Sequence, residues 1–238
     1  MTPTVHDVKA ALREQADPAQ ARHLASFFKT GIGGYGEGDR FLGLRVPHVR
    51  EVAKHHNDVS DIAIQDLLAS AFHEDRLCAL VIITNQFRSS RDEHVRAKLW
   101  RDYLAALNAG QVNNWDLVDV TAPYLGEFLL TTPAAPRIIE DLANSTDLWH
   151  QRASILVTWA FIRQHDLVPT YTVVEKLLGH PHDLIHKAGG WMLRETGKRD
   201  IDALRAFLGQ HVEAMPRTML RYSIEKMTPD ERAKWLSA

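Results

Sequence analysis

The sequence predicts an all-α protein, an α-solenoid of HEAT-like helical repeats, and three observations carry that prediction. Apolar residues recur at spacings of three and four, so that Val95, Leu99 and Tyr103 share one stripe and Ile155, Trp159 and Ile162 another, while no run alternates in the manner of a half-buried strand. Glycine and proline number only 13 and 10 of 238 residues, leaving long stretches free of helix breakers. The helical pattern also returns. DRLCALVII (75–83), NWDLVDVTAPYLG (114–126), HQRASILVTWAFI (150–162), HKAGGWMLRET (186–196) and PRTMLRYSIEKM (216–227) each open on a polar residue and run on as an apolar helix. Arg76, Asp116, Arg152, Lys187 and Arg217 occupy the corresponding slot, at intervals of 40, 36, 35 and 30 residues. Stacked helix pairs of the HEAT or armadillo kind have this period, and they gather side chains from successive repeats on one concave surface.

Along the chain, prolines punctuate. Asp17-Pro18, Val46-Pro47, Thr132-Pro133, Gly179-His180-Pro181, Met215-Pro216 and Thr228-Pro229 each place a proline where a helix begins. The expected total is twelve to fourteen short helices in a single domain spanning 1–238. One segment breaks the pattern: GIGGYGEGDRFLGLRVP holds Gly31, Gly33, Gly34, Gly36, Gly38 and Gly43. It lacks the Walker ending and the preceding strand of a nucleotide cradle. It is read as a flexible connector needing positive φ angles, or as a loop lying against a ligand with Tyr35 and Arg45 available for contact.

Composition excludes several classes of protein. Hydrophobic residues make up 45% of the chain, enough for a core and against disorder. Lys+Arg 28 against Asp+Glu 30 gives no overall basic character, so an anionic partner must be met by a local patch. From His186 to Lys226 eight cations face five carboxylates, and Lys187, Arg217 and Arg221 join Arg152 as candidates for a stripe that follows a phosphate backbone; scattered solvated charge is the alternative. The single Cys78 excludes a disulfide framework and suits a cytoplasmic location. With no uninterrupted apolar stretch of about 18 residues, neither export nor a membrane span is expected.

Trp115 and Asp119 are four apart and share a helix face one turn apart, setting an aromatic plane beside a carboxylate. Arg152 and Trp191 follow at one-repeat intervals. Two indoles, a carboxylate and a guanidinium suit a cationic substrate carrying phosphate. The structural alternatives stay open. Tryptophan on a helix is usually core, which is where Trp100, Trp149, Trp159 and Trp235 are placed. Asp116 suits the positive end of its helix better than Asp119 does, and Arg152 pairing with Asp116 or Asp119 is an equally good use of that charge. The pair His55-His56 and the group His180, His182 and His186 lack carboxylate or cysteine partners at ligand spacing, so no metal and no other cofactor is expected. Cys78, in an apolar run without a Gly-x-Ser-x-Gly nearby, reads as a small core residue rather than a nucleophile.

Taken in order, YGEGDRFLGLRVPHVR (35–50), NNWDLVD (113–119), LWHQRASIL (148–156), DLIHKAGGWMLRETGK (183–198) and MPRTMLRY (215–222) resemble the DNA alkylation repair proteins of the AlkD type, HEAT-like-repeat DNA glycosylases. The resemblance implies a C-shaped solenoid whose concave, basic groove holds duplex DNA, a monomer, and excision of purines alkylated at N3 or N7 without flipping the base into a pocket. It places the catalytic carboxylate on Asp119, the active-site tryptophans on Trp115 and Trp191, and the groove arginine on Arg152; Lys187, Arg217 and Arg221, from the local basic bias, and Arg45, from the glycine-rich segment, are the further candidate DNA contacts. The glycine-rich segment is longer than in the best-understood members, and Asn114 stands where some have another aromatic. A non-catalytic binder of damaged or branched DNA on the same scaffold, and a protein-interaction module, are the competing functions.

Overall fold

A computed structural model describes residues 3–237. The chain is all-α: the described residues form sixteen α-helices and one 3-10 helix, and their sole β feature is an isolated bridge between Arg40 and Phe72. None of these helices is long and apolar enough to cross a membrane. Two compact units divide between Thr121 and Ala122.

The first unit holds α1 (Val5–Glu14), α2 (Pro18–Phe27), α3 (Val46–His55), α4 (Asp61–Leu68), α5 (His73–Ser89), α6 (Glu93–Asn108) and α7 (Trp115–Asp119). Side-chain oxygens start most of them: Thr4 forms a capping box with Asp7, and Asp17, Ser60, Asp92 and Asn114 each accept a backbone N–H of the first turn, satisfying donors a helix start leaves unpaired. The centre is α5, against which α3, α4 and α6 pack. Its Leu77, Cys78, Leu80, Ile82, Ile83 and Phe87 are buried on every side, as expected of a helix enclosed by neighbours. Burial, with Asp75 adding to it, pushes the Cys78 thiol up to about 12. Iodoacetamide at neutral pH should therefore leave Cys78 unmodified in the folded protein and alkylate it within minutes in urea, as mass spectrometry would read.

The glycine-rich segment is a connector only at its tip. Gly31 and Gly33 have open space where a side chain would project, and Ile32 between them is fully exposed. Further on, residues Phe41 to Leu44 are buried. The Glu74 carboxylate accepts the backbone N–H groups of Leu42 (2.9 Å), Gly43 (2.8 Å) and Leu44 (3.1 Å). Gly43 has φ +92°, and a Cβ there would lie 2.1 Å from the Asp17 carbonyl oxygen, so only glycine fits.

The second unit holds α8 (Ala122–Leu125), the 3-10 helix (Gly126–Thr131), α9 (Ala135–Asn144), α10 (Leu148–Leu156), α11 (Trp159–Arg163), α12 (Val168–Lys176), α13 (Asp183–Gly197), α14 (Ile201–His211), α15 (Arg217–Ser223) and α16 (Pro229–Ser237). Neighbours in sequence pack on one another: α9 on α10, α10 on α12 and α13, and α13 on α14 and α15. Helices exceed the expected twelve to fourteen because two apolar runs break. At Thr121 and Thr158 the hydroxyls bond carbonyls three or four residues back, Leu117 (2.8 Å) and Ile155 (2.6 Å), and the backbone tightens to i−3 bonds, ending the helix there. Close approach holds the second break, since a Cβ on Gly126 would lie 2.4 Å from the Val157 carbonyl oxygen.

Two further expectations need correction. Pro133 and Pro181 lie ahead of α9 and α13 rather than at their first positions, and Pro136 takes the second position of α9. Of the four tryptophans assigned to the core, Trp100 and Trp149 are buried, but Trp159 and Trp235 are only half-buried. Trp159 opens the short α11 at the Thr158 break. Trp235 rides on α16, a helix with no buried residue, tethered by the Glu231 carboxylate to Arg205 and by the Leu236 carbonyl to Arg217.

Candidate functional site

In the first unit the site residues are built on α7. Five residues are far too few to hold a helix by hydrogen bonding alone, so tertiary contacts set its pose. Asn114, fully buried, caps it through the Trp115 N–H (2.9 Å), and Leu117 and Val118 enter the core. Trp115 is the first residue and Asp119 the last; both are half-buried. The Trp115 indole stacks on Phe28, with ring centres 5.4 Å apart and planes 24° apart, and meets the edge of the exposed Phe27 at 6.2 Å. Phe28 in turn stacks on Phe41 at 5.3 Å, so a column of rings braces the indole from below. At the other end of α7, Asp119 lies within electrostatic reach of Tyr103, whose hydroxyl burial, with the Asp119 charge adding, pushes above its ordinary range.

Beneath the indole is a buried charge network that the sequence reading missed. His73, Glu74, Asp75 and Arg76 are four consecutive polar residues, all at most 5% exposed, and each has its own partner. Glu74 holds the backbone at 42–44. Asp75 takes a paired contact from Arg13 (3.0 and 3.2 Å) and a hydrogen bond from Ser70. Arg76 donates to Asp39 (2.7 Å), Asn113 (3.0 Å) and the Ser70 carbonyl (2.8 Å). His73 sits between Asp116 (Nε2 to Oδ2, 2.8 Å) and Asp39 (Nδ1 to Oδ2, 3.5 Å), with its ring against Phe28 and Phe41 at 5.1 and 4.8 Å. Burial alone would push His73 down, but the charge and hydrogen bond of Asp116, with that of Asp39, outweigh it and raise the imidazole to about 9. The signal was available in the sequence: HEDR heading an apolar helix buries four polar groups that must be paired if buried at all. Asp116 thus belongs to this network, and Asp119, one turn on, is the more exposed carboxylate.

The second unit carries the remaining candidates. Arg152 on α10 is 4% exposed, and its guanidinium donates to the Leu184 carbonyl in the first turn of α13. Lys187 and Trp191, one turn apart on α13, are half-buried, and Lys187 pairs with Asp183 at 2.6 Å. The Gly189-Gly190 pair lets α15 come close: Cβ atoms there would lie 2.8 Å from the Met219 methyl and 2.5 Å from the Tyr222 Cβ. Arg217 and Arg221, one turn apart on α15, are exposed. The expected basic excess is partly cancelled, since Arg194, Lys198, Arg205 and Lys226 pair with Glu225, Glu195, Asp202 and Glu231. Arg199, Arg217 and Arg221 make no ion pair among the described residues, nor in the first unit does the exposed Arg45 at the start of α3.

Other groups resolve into structural roles. His182 Nδ1 accepts the Leu184 N–H as the cap of α13 (3.1 Å), His180 Nδ1 accepts the His182 N–H, and His186 bonds the His180 carbonyl. No group of three or more His, Cys, Asp or Glu among the described residues is placed to hold a metal ion. A 530 Å³ apolar cavity between α9 and α12, lined by Ile139, Phe161 and Val173 among others, contains none of the candidate site residues.

Comparison with known proteins identifies the family and a similar fold. No curated protein matches the chain. The fold is similar to a solved structure of a predicted DNA alkylation repair enzyme from Enterococcus faecalis, with a TM-score of 0.69 and 16% identity over 90% of this chain and 98% of that one. Residues 8–227 match the family model described as DNA alkylation repair enzyme. That match takes in α3, α7, α10, α13 and α15, all the helices on which the candidate residues stand, and the chain belongs to the DNA alkylation repair enzyme family.

Proposed function

We propose that the protein is a monofunctional DNA glycosylase that releases N3- or N7-alkylated purines from duplex DNA. The observation that carries this reading is α7 itself: a partly exposed indole and a partly exposed carboxylate at the two ends of one turn of helix, the indole braced by Phe28 and Phe41. Alkylation at N3 or N7 puts a positive charge on the base, so when the bond between C1′ and the base nitrogen breaks, the electron pair leaves with a neutral base and no general acid is needed. The deoxyribose is left as an oxocarbenium ion. Asp119 stabilises that charge and orients the water that adds to C1′, the water's proton passing to the carboxylate or to solvent. The faces of Trp115 and Trp191 stabilise the electron-poor sugar. Arg152, buried and donating to the Leu184 carbonyl, anchors a backbone phosphate only by turning its guanidinium outward, while Lys187, Arg217, Arg221 and Arg45 contact the phosphates of the duplex.

The product is an abasic site, and with Asp119, Trp115 and Trp191 as the groups at the sugar and Lys187 assigned to phosphate, no lysine acts as nucleophile and strand cutting does not follow. Because the roles act on sugar and backbone, base release needs no flipping into a pocket, in contrast with most glycosylases. The test is release of free base from a duplex carrying one 7-methylguanine, beside binding to the same duplex at several salt concentrations. The expected result is free 7-methylguanine and an affinity that falls steeply with salt. Salt-sensitive binding with no release would make the protein a binder of damaged or branched DNA, and no binding would leave an interaction module.

A further inference from the structure

We propose that His73, as an imidazolium held between Asp39 and Asp116, is the positioning residue for Trp115 and α7. The inference rests on the function proposed above for its kinetic consequence, but its structural core does not. The side chain touches both supports of the indole. Through Nε2 it holds the carboxylate of Asp116, the residue next to Trp115, at 2.8 Å. Through its face it packs 5.1 Å from Phe28, the ring on which Trp115 stacks. A five-residue helix has few other means of holding its pose.

The two carboxylates set the charge. Asp116 is hydrogen-bonded to Nε2, while Asp39 faces Nδ1 at ion-pair distance, 3.5 Å, outside hydrogen-bond geometry, and ionised carboxylates only accept. A neutral imidazole would turn a lone pair towards one of two buried carboxylates, whereas the imidazolium presents an N–H and positive charge to both. The charged groups around the ring are Asp39 from the segment before α3, Arg76 from α5 and Asp116 from α7. Arg76 already pairs with Asp39 Oδ1 at 2.7 Å, leaving Oδ2 to His73. The raised pKa agrees in direction. Since the folded value lies above the ordinary 6.5, the contribution to stability is complete below about pH 6.5 and is lost as pH rises through about 9.

The experiment uses the full chain. Nitrogen-15 spectra of the histidine rings, assigned through His73→Gln, should show both His73 nitrogens protonated at pH 7.5 and titrating only near pH 9. A singly protonated ring at pH 7.5 overturns the proposal. In His73→Gln, acrylamide quenching of the Trp115 share of fluorescence, taken as the difference from Trp115→Phe, should rise. Single-turnover release at saturating DNA should fall about tenfold, with Kd for DNA changed less than about twofold. Unchanged quenching and rate would refute the positioning role. Should His73→Gln fail to fold, Asp39→Asn, which keeps the Asp116 contact, should bring the His73 titration down towards 6.5; no movement refutes the pairing. If wild type releases no base, the proposed function fails while the nitrogen spectra and quenching still decide for or against His73.

Discussion

In Asp119→Asn, release of 7-methylguanine from a duplex falls by about 10²-fold or more, the range lost with a positioned acid-base group, while affinity for the same duplex stays within about twofold. The substitution keeps the size of the side chain and its place at the end of α7. What it removes is the negative charge, and the carboxamide can neither stabilise an oxocarbenium ion nor accept the water's proton. On the proposed function, binding falls to cations elsewhere, chiefly Arg45, Arg217 and Arg221, which have no carboxylate partner among the described residues. Rates must be compared at equal DNA occupancy, by single-turnover release with protein in excess. Loss of binding in parallel with loss of release would mean that Asp119 builds the interface; full activity in the variant would remove it from the chemistry.

Glu74→Ala should be the most damaging substitution for stability. One carboxylate satisfies the N–H groups of Leu42, Gly43 and Leu44, all buried, and removing it orphans three donors at once. At roughly 1–3 kcal/mol per buried unsatisfied group the loss is at least about 3 kcal/mol. For a chain of this size that lowers the thermal midpoint by about 10 °C. Glu74→Gln should fall between, because one amide oxygen still accepts while the NH₂ faces a backbone donor. Scanning calorimetry or far-ultraviolet circular dichroism reads both, and a midpoint within about 2 °C of wild type for Glu74→Ala would show that water reaches these donors without cost.

The helical fold was legible because its causes are local. Asp17 before Pro18 and the spacing of Leu99 and Tyr103 on α6 act within a turn or two of themselves, and the pairing of Trp115 with Asp119 on α7 follows from helical period alone, whereas the stripe Ile155, Trp159 and Ile162 is cut by the break at Thr158 between α10 and α11. What stayed hidden is tertiary. His73, Glu74, Asp75 and Arg76 look like a solvated helix start, and only partners 30 to 62 residues away make them interior. Phe28 was passed over for the same reason, since its role depends on rings at 41, 73 and 115. The glycines divide likewise: Gly33 serves a local turn, whereas Gly43 is required by the Asp17 carbonyl pressing on it from another part of the chain.

Because the one native thiol is sealed inside α5 and stays protonated, the protein arrives ready for site-specific labelling. Ile32→Cys would put a maleimide dye on the open tip of the glycine-rich loop, where a Cβ on either flanking glycine would meet nothing within 4 Å and the native side chain is fully exposed. The stem of that loop, at Gly36, packs on the carbonyl of Phe28, the ring beneath Trp115. A single fluorophore there reports on that end of the first unit in real time, with Cys78 left in place and the core undisturbed.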